Sequence, residues 1–133
     1  MEVEDKRLHY IDSNVFIYTL EGEAMIRKAG AEFFAHHPNL LTSQLTEMEC
    51  VILPIRQNDL VLLSQFDSLF SAVQFQVLSR EILLRAAQLR ADYRFLKTPD
   101  AIHAVTALEL NFSLFVSNDP VFAKVPGLIV RTI

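Results

Sequence analysis

The sequence predicts a three-layer α/β fold, with a mostly parallel central sheet of about five strands and helices on both faces. Short apolar segments of strand character alternate along the 133 residues with longer segments whose apolar side chains recur at helical spacing. Parallel strands require crossovers, and helical crossovers cover both faces of a sheet. No linker or repeat interrupts the pattern, so we expect residues 1–133 to form one domain.

The first half of the chain begins with an apolar stretch that ends at the turn and cap residues Asp12-Ser13-Asn14. Pro38 ends the second helical segment, and Pro54 is expected to break the third. The predicted elements, in chain order, are a strand over 8–12, helices over 14–22 and 23–36, a strand over 39–43, and helices over 44–56 and 58–70.

The second half opens with the alternating stretch VQFQVL, which predicts a strand, and Ser79 suits the cap of the following helix. Thr98 is a suitable N-cap and Pro99 a suitable first residue for the next helix. That helix is apolar over most of its circumference, which indicates burial. The predicted elements are a strand over 73–78, helices over 80–95 and 98–110, and strands over 113–119 and 127–133.

Composition excludes several classes of protein. Apolar residues make up 51% of the chain and charged residues 21%, which is typical of a soluble globular protein. The charged first ten residues do not resemble a signal peptide, and no apolar run is long enough to span a membrane, so we expect a cytoplasmic protein. The net charge of -4 gives no general basic surface for nucleic acid. The lone Cys50 excludes intramolecular disulfides and a thiolate zinc cluster, and the three glycines form no phosphate-binding loop.

Acidic residues lie at the ends of several predicted elements. Asp12 and Asp119 follow strands, and Asp100 lies at the start of the buried helix. Each also fits an ordinary helix-start role, as a cap or in favourable interaction with the helix dipole, so the sequence leaves both roles open. In parallel sheets ligands bind beyond the carboxyl ends of the strands, where the strand order reverses. If the first and fourth strands are neighbours, Asp12 and Asp119 would therefore face one cleft.

Glu49 is the acid that helical periodicity distinguishes. The predicted apolar stripe of its helix consists of Leu45, Met48, Ile52 and Ile55. At ~100° per residue Glu49 falls within that stripe, whereas Glu47 falls nearly opposite. A carboxylate on a buried face requires a partner or a ligand, so Glu49 is a site candidate and Glu47 is expected in solvent. A helix tilted enough to expose Glu49 is the alternative.

A cluster of carboxylates predicts a hard divalent cation, Mg²⁺ or Mn²⁺. No histidine set accompanies the acids to suit zinc. His9 lies in the first strand and His36 and His37 at a helix C-terminus, where cations are favoured. His103 follows Asp100 by about one turn, and we expect it to have a structural role.

Four segments of the chain resemble the PIN-domain ribonucleases, and among them the VapC-type toxins of toxin–antitoxin modules. The segments are YIDSNVFI, TSQLTEMEC, TPDAIHAVTALEL and LFVSNDPVF. The resemblance implies that Asp12, Glu49, Asp100 and Asp119 are the catalytic and metal-binding residues. It also implies that Asn14 and Ser117 orient these acids.

The resemblance further implies cleavage of single-stranded or looped RNA by a metal-activated water, with Mg²⁺ or Mn²⁺ as cofactor. An antitoxin protein that covers the site is the implied partner, and the family often forms homodimers. Contacts to RNA are expected from the basic residues on and after one helix, unless these only form a solvated face. These residues are Arg80, Arg85, Arg90, Arg94 and Lys97.

Two other functions share this predicted fold. A receiver-type phosphoacceptor domain would need an Asp at the end of the third strand and a Lys at the end of the fifth, but VQFQVLSR ends without Asp and GLIVRTI contains only Arg131 as a base. A noncatalytic PIN-like module that binds RNA or protein would keep the fold without turnover. The four intact acids favour the nuclease over this alternative.

Overall fold

The computed structural model describes residues 4–110 and 114–133, and within them the predicted α/β fold is confirmed. The strands are β1 (His9–Ile11), β2 (Leu40–Ser43), β3 (Gln74–Gln76), β4 (Leu114–Val116) and β5 (Val130–Arg131). The helices are α1 (Ser13–Glu21), α2 (Ala24–His36), α3 (Gln44–Arg56), α4 (Leu60–Phe70), α5 (Arg80–Asp92) and α6 (Thr98–Glu109), and a 3-10 helix spans Pro120–Lys124. Ser113, where the fourth strand was predicted to begin, and residues 1–3 lie outside the described residues.

The five strands form one parallel sheet in the order β3-β2-β1-β4-β5. From β1 the chain builds outward through β2 and β3, and then returns to add β4 and β5 on the other side of β1. The strand order therefore reverses between β1 and β4, which is where α/β sheets place their ligand clefts. This arrangement confirms that the first and fourth strands are neighbours.

Successive residues of each strand point to opposite faces of the sheet, and each face has its own core. Ile11 of β1 and Val116 of β4 pack against α1, α2 and α4, with Phe16 and Phe66 at the centre of that layer. The strand neighbours of these residues point the other way and join a second core. Tyr10, Leu41, Phe115, Phe122 and Leu96 are its largest members. The two cores confirm helices on both faces of the sheet.

Helix α3 shows two differences from the sequence prediction. Its buried residues are Thr46, Cys50 and Pro54, whereas the predicted stripe is largely in solvent. Met48, Ile52 and Ile55 of that stripe are 55%, 42% and 58% exposed. The prediction assumed that an apolar stripe must face the core, but small side chains allow α3 to pack closely on the side of Thr46 and Cys50.

The predicted break at Pro54 is also wrong, because α3 continues through this residue to Arg56. A proline removes one backbone donor and crowds the preceding turn. Here it lies in the last turn of the helix, and its ring is buried. None of the described helices is both long enough and apolar enough to cross a lipid bilayer.

Candidate active site

Asp12 lies directly after β1, at the carboxyl end of the strand, and its side chain is buried. It occupies the N-cap position of α1, but its carboxylate accepts no capping hydrogen bond from the described residues. Its Oδ2 atom instead accepts a hydrogen bond of 2.8 Å from the Oγ of Ser117. The Asp12 side chain is therefore directed toward the end of β4 rather than engaged in capping.

Ser117 connects Asp12 to Asp119. While its Oγ donates to Asp12, it accepts a hydrogen bond of 3.0 Å from the backbone N–H of Asp119. Asp119 is partly buried, and its Oδ1 accepts from the backbone N–H of Val121 at 3.0 Å, which caps the 3-10 helix. Asp119 thus has the helix-start role that the sequence allowed, at the carboxyl end of the strand beside β1.

Asp100 lies in the first turn of α6 and is partly buried. The N-cap of this helix is Lys97, so Thr98 is its first residue and not the predicted cap. A carboxylate in the first turn interacts favourably with the helix dipole. The seven residues that follow, 101–107, are all buried, and this confirms the prediction of a buried helix. Asp100 is consequently held at the rim of the sheet by a helix that has little freedom to move.

Glu49 is partly exposed and takes part in a chain of hydrogen bonds. Its Oε1 atom accepts from the Oγ of Ser13 at 3.1 Å and lies 2.6 Å from the Nε2 of His103. The Nδ1 of His103 lies 2.7 Å from the hydroxyl of Tyr10, which is fully buried. The two ring nitrogens of His103 thus link Glu49 to Tyr10. Glu47 is exposed, as predicted.

His103 has a closer relation to the site than the sequence indicated. We expected a structural role, and the residue is indeed buried, at 1% exposed. It is also the direct partner of a candidate acid, at 2.6 Å from Glu49. Its position about one turn after Asp100 was the available signal, because that spacing places both side chains on the same face of α6.

The acids of the cleft affect one another electrostatically. Burial raises the pKa of Asp12, and the nearby carboxylates of Glu49 and Asp100 raise it further. Burial likewise raises the pKa of Asp100, with Asp119 and Glu49 adding to the rise. His103 acts in the opposite direction on both groups. Each of the four carboxylates thus interacts unfavourably with at least one other, an interaction that a bound cation would relieve.

The spacing of the acids suits a hydrated cation. Three side chains at the other end of β1, those of Asp5, His9 and His37, have ligand atoms within 4.8 Å of one another. Among the described residues, no other set of three His, Cys, Asp or Glu side chains does. No three of the cleft acids therefore have ligand atoms within 4.8 Å of one another. Mg²⁺ keeps several water ligands and binds proteins through one or two carboxylates, so the donor set fits it.

The two residues expected to orient the acids, Asn14 and Ser117, differ in their contacts. No hydrogen bond within the described residues joins the side chain of Asn14 to an acid, whereas Ser117 bonds Asp12 directly.

Of the basic residues on and after α5, Arg85 pairs with Glu109. Arg90 donates to Leu96 O and Thr98 Oγ1 at 3.0 and 2.9 Å. Both arginines therefore have partners within the fold, Arg85 in α6 and Arg90 at and before the start of α6.

Comparisons with known proteins agree on the fold. A sequence profile of the PIN domain matches residues 9–128. A chain in a toxin–antitoxin complex from Klebsiella pneumoniae is 25% identical, with a TM-score of 0.72 over 91% of this chain and 95% of that one. VapBC from Salmonella typhimurium, in a DNA-bound crystal structure, is 19% identical, with a TM-score of 0.70 over 94% of this chain and 98% of that one. VapBC2 from Rickettsia felis, bound to a DNA fragment from their promoter, is 16% identical, with a TM-score of 0.68 over 94% and 98%. A sequence search of curated proteins gave no match.

Proposed function

The chain belongs to the PIN domain family, and on that basis we propose that it is an endoribonuclease that uses Mg²⁺ or Mn²⁺ to hydrolyse single-stranded or looped RNA. The observation that supports this most strongly is that neighbouring carboxylates raise the pKa of Asp12 and of Asp100 at the point where the strand order reverses; Glu49 acts on both, Asp100 on Asp12, and Asp119 on Asp100. Carboxylates that are buried together and repel one another gain from a divalent cation. Residues 1–133 form a single PIN-like domain in this proposal.

Asp12 and Asp100 are the proposed direct ligands of the metal, with Asp119 and Glu49 beside them or joined through water. When bound, the cation would lower the pKa of a water molecule and offset the charge on the phosphoryl oxygens. In-line attack by that water would leave a 5'-phosphate and a 3'-hydroxyl. The chain would act in the cytoplasm, where its RNA substrate is found.

The residues around the acids position them for this reaction. Ser117 fixes one oxygen of Asp12 with a hydrogen bond of 2.8 Å, so that the carboxylate cannot rotate freely. Ser13 and His103 together fix Oε1 of Glu49. Because Ser117 and His103 are buried, both acids are held by rigid parts of the fold. Such preorganisation lowers the cost of binding a metal and a phosphate in one geometry.

We propose that RNA contacts the basic residues on and after α5 other than Arg85 and Arg90. Arg80, Arg94 and Lys97 are exposed. Lys97 is the N-cap of α6, and its charge lowers the pKa of Asp100. A phosphate held by Lys97 would therefore lie near the acids. Contacts of this kind to the RNA backbone orient a substrate without reading its sequence.

The structural neighbours suggest the biological setting. The chain that is 25% identical comes from a toxin–antitoxin complex. We therefore propose that this nuclease is the toxin of such a pair and is silenced by an antitoxin protein that covers the acidic cleft. Growth arrest on expression, relieved by co-expression of the product of the adjacent small gene, is the expected result, and absence of arrest would contradict the toxin role.

A homodimer is proposed from the exposed side of α3. Met48, Ile52 and Ile55 lie on one stripe, which begins at Leu45, and Leu45 packs against the buried cluster formed by α5 and α6. Exposed apolar stripes of this kind are typical of surfaces that bind another protein chain. Sedimentation of the isolated chain should give the mass of a dimer, and Ile52→Lys should reduce it to that of a monomer.

Cleavage of a fluorescent single-stranded RNA tests the catalytic proposal. We expect cleavage in Mg²⁺ or Mn²⁺, none in EDTA, and none by Asp100→Asn with the fold intact by circular dichroism. Glu49→Gln and Glu47→Gln form a matched pair on one helix, because both remove a single carboxylate. Glu49→Gln should reduce cleavage strongly and Glu47→Gln should not. RNA binding without metal-dependent cleavage would instead identify a noncatalytic PIN-like module.

A further inference from the structure

A second group of metal-ligating side chains lies at the opposite end of β1 from the acidic cleft. His9 is the first residue of β1, and Asp12 follows its last residue. A strand rises about 3.3 Å per residue, so roughly 10 Å separate these two positions along the strand. Asp5, from the segment before β1, and His37, directly after α2, join His9 there. The group therefore joins three separate parts of the chain.

Both imidazoles are oriented by the backbone. The Nδ1 of His9 lies 2.9 Å from the carbonyl oxygen of Arg7, and the Nδ1 of His37 lies 2.6 Å from that of Phe33. A carbonyl oxygen can only accept, so each Nδ1 carries the proton and each Nε2 presents a lone pair. Metal-binding histidines are commonly held in this way, by a backbone carbonyl on the other ring nitrogen.

The Nε2 atoms of both histidines face the carboxylate of Asp5. Its Oδ2 lies 3.9 Å from the Nε2 of His9 and 3.7 Å from the Nε2 of His37. In a tetrahedral zinc site, with bonds of about 2.0–2.1 Å, ligand atoms lie ~3.3–3.4 Å apart. The two distances to Asp5 exceed this spacing by about half an ångström, and all three ligand atoms lie within 4.8 Å of one another. Side-chain movements of at most about 1.5 Å would thus bring the three atoms to zinc-binding distances.

The guanidinium of Arg131 lies between the three candidate ligand atoms. The Nη1 of Arg131 lies 3.2 Å from His9 Nε2, 3.5 Å from His37 Nε2 and 3.4 Å from Asp5 Oδ2. The guanidinium satisfies the lone pairs in the absence of a metal. The Arg131 side chain is 40% exposed, so it can leave toward solvent without breaking the core. Arg7 also binds Asp5, and its Nη2 donates to the same Oδ2 at 2.6 Å from a side chain that is 65% exposed, so a metal at this oxygen would share it with Arg7.

We propose that Asp5, His9 and His37 form a binding site for Zn²⁺, in which the metal replaces the Nη1 of Arg131. Two imidazoles and one carboxylate are a donor set that zinc favours, with the fourth position left to water. Nitrogen donors separate this site from the acidic cleft, whose oxygen donors favour Mg²⁺ or Mn²⁺. The zinc would tie the segment before β1 to the end of α2 and so stabilise the native state.

Competition for Zn²⁺ with a chromophoric chelator, in excess Mg²⁺, tests the site on the full chain. We expect one tightly bound Zn²⁺ in the wild type and in Asp12→Asn, and at least about tenfold weaker binding in His37→Gln, as loss of a metal-site group typically causes. The matched control is His36→Gln, because His36 is the adjacent residue but is only partly buried and is not a member of the group. This variant should bind zinc as the wild type does.

Arg131→Gln gives the second test, because its direction differs between the two possible roles of the group. If Arg131 competes with the metal, its removal tightens zinc binding. If Asp5, His9 and His37 only form an internal polar network, one of two results follows. Either the wild type binds zinc no more tightly than His37→Gln does, or Arg131→Gln weakens zinc binding. Either result overturns the proposal. Zinc should also raise the melting temperature of the wild type but not of His37→Gln. Asp5→Asn should leave RNA cleavage unchanged, which separates this site from the nuclease.

Discussion

The contact between His103 and Glu49 allows a prediction that separates positioning from packing. His103 meets two partners, with Nε2 2.6 Å from Glu49 and Nδ1 2.7 Å from the hydroxyl of Tyr10. Two amide substitutions each preserve one of these contacts. Gln is long enough to place an N–H near the position of Nε2, whereas Asn reaches only the position of Nδ1. His103→Gln should therefore keep Glu49 in place, and His103→Asn should release it.

The size of the effect follows from the geometry. The bond to Glu49 is short, comes from a side chain that is 1% exposed, and joins a carboxylate. Hydrogen bonds to charged groups contribute about 1.5–3 kcal/mol. If that energy serves to orient Glu49 in the transition state, its loss lowers kcat/KM by roughly 10- to 200-fold, at about 1.4 kcal/mol per factor of ten.

Rates of RNA cleavage by the two variants, measured at saturating Mg²⁺, provide the assay. We expect His103→Asn to lose roughly 10- to 200-fold in kcat/KM, and His103→Gln to lose less than about tenfold. Urea unfolding of both variants shows whether the fold is retained. Equal loss of activity in the two variants, or a greater loss in His103→Gln, would refute the argument that His103 acts through Glu49.

Two further predictions concern charge and packing. Asp12→Asn should be more stable than the wild type at pH 7 in EDTA, because burial raises the pKa of Asp12 and the native state then carries an unfavourable charge. That penalty is present above the raised pKa and disappears as the pH falls toward the ordinary pKa of an aspartate. The stability gained by Asp12→Asn, measured by urea unfolding, should therefore shrink in acid. A gain in stability that grows in acid would contradict the predicted pH dependence. Gly30→Ala should lower stability by about 1–3 kcal/mol despite the better helix propensity of Ala, because its Cβ would lie 2.1 Å from Thr19 Oγ1 and 2.8 Å from Thr19 Cβ. A thermal scan showing no loss would indicate that α1 and α2 can move apart.

Much of the fold could be predicted from sequence because strands and helices in this chain have distinct periods. The predicted helix over 44–56 and the strand over 39–43 agree closely with α3 and β2. Ser79 caps α5 as predicted, with its Oγ accepting from Ile82 N at 3.2 Å. These features are local, so nearby residues are sufficient to determine them.

The direction in which α3 faces could not be predicted in the same way. Hydrophobic periodicity shows that a helix has an apolar stripe, but not whether that stripe packs on the sheet or on another chain. In α3 the stripe with Met48 and Ile52 is exposed, and the smaller Thr46 and Cys50 face the core. The buried face on which Glu49 was placed is therefore wrong. Glu49 is partly exposed, and its partners are Ser13 and His103.

The partners of the acids could not be derived from local sequence patterns, and only Ser117 was indicated, through the family resemblance. Ser117 and Asp12 are 105 residues apart, and His103 and Glu49 are 54 apart. Such contacts depend on the strand order, which places β4 beside β1. The group of Asp5, His9 and His37 has the same origin, because it forms only when α2 ends near the start of β1.

The position of a bound manganese ion tests the central claim most directly. Crystals of the chain soaked in Mn²⁺ give an anomalous signal that locates the metal without assumptions about its ligands. We predict a peak at the carboxyl end of β1, within about 2.0–2.3 Å of carboxylate oxygens of Asp12 and Asp100. No manganese at these carboxylates, or a peak only at His9 and His37, would contradict the assignment of the acidic cleft as the metal site of a nuclease.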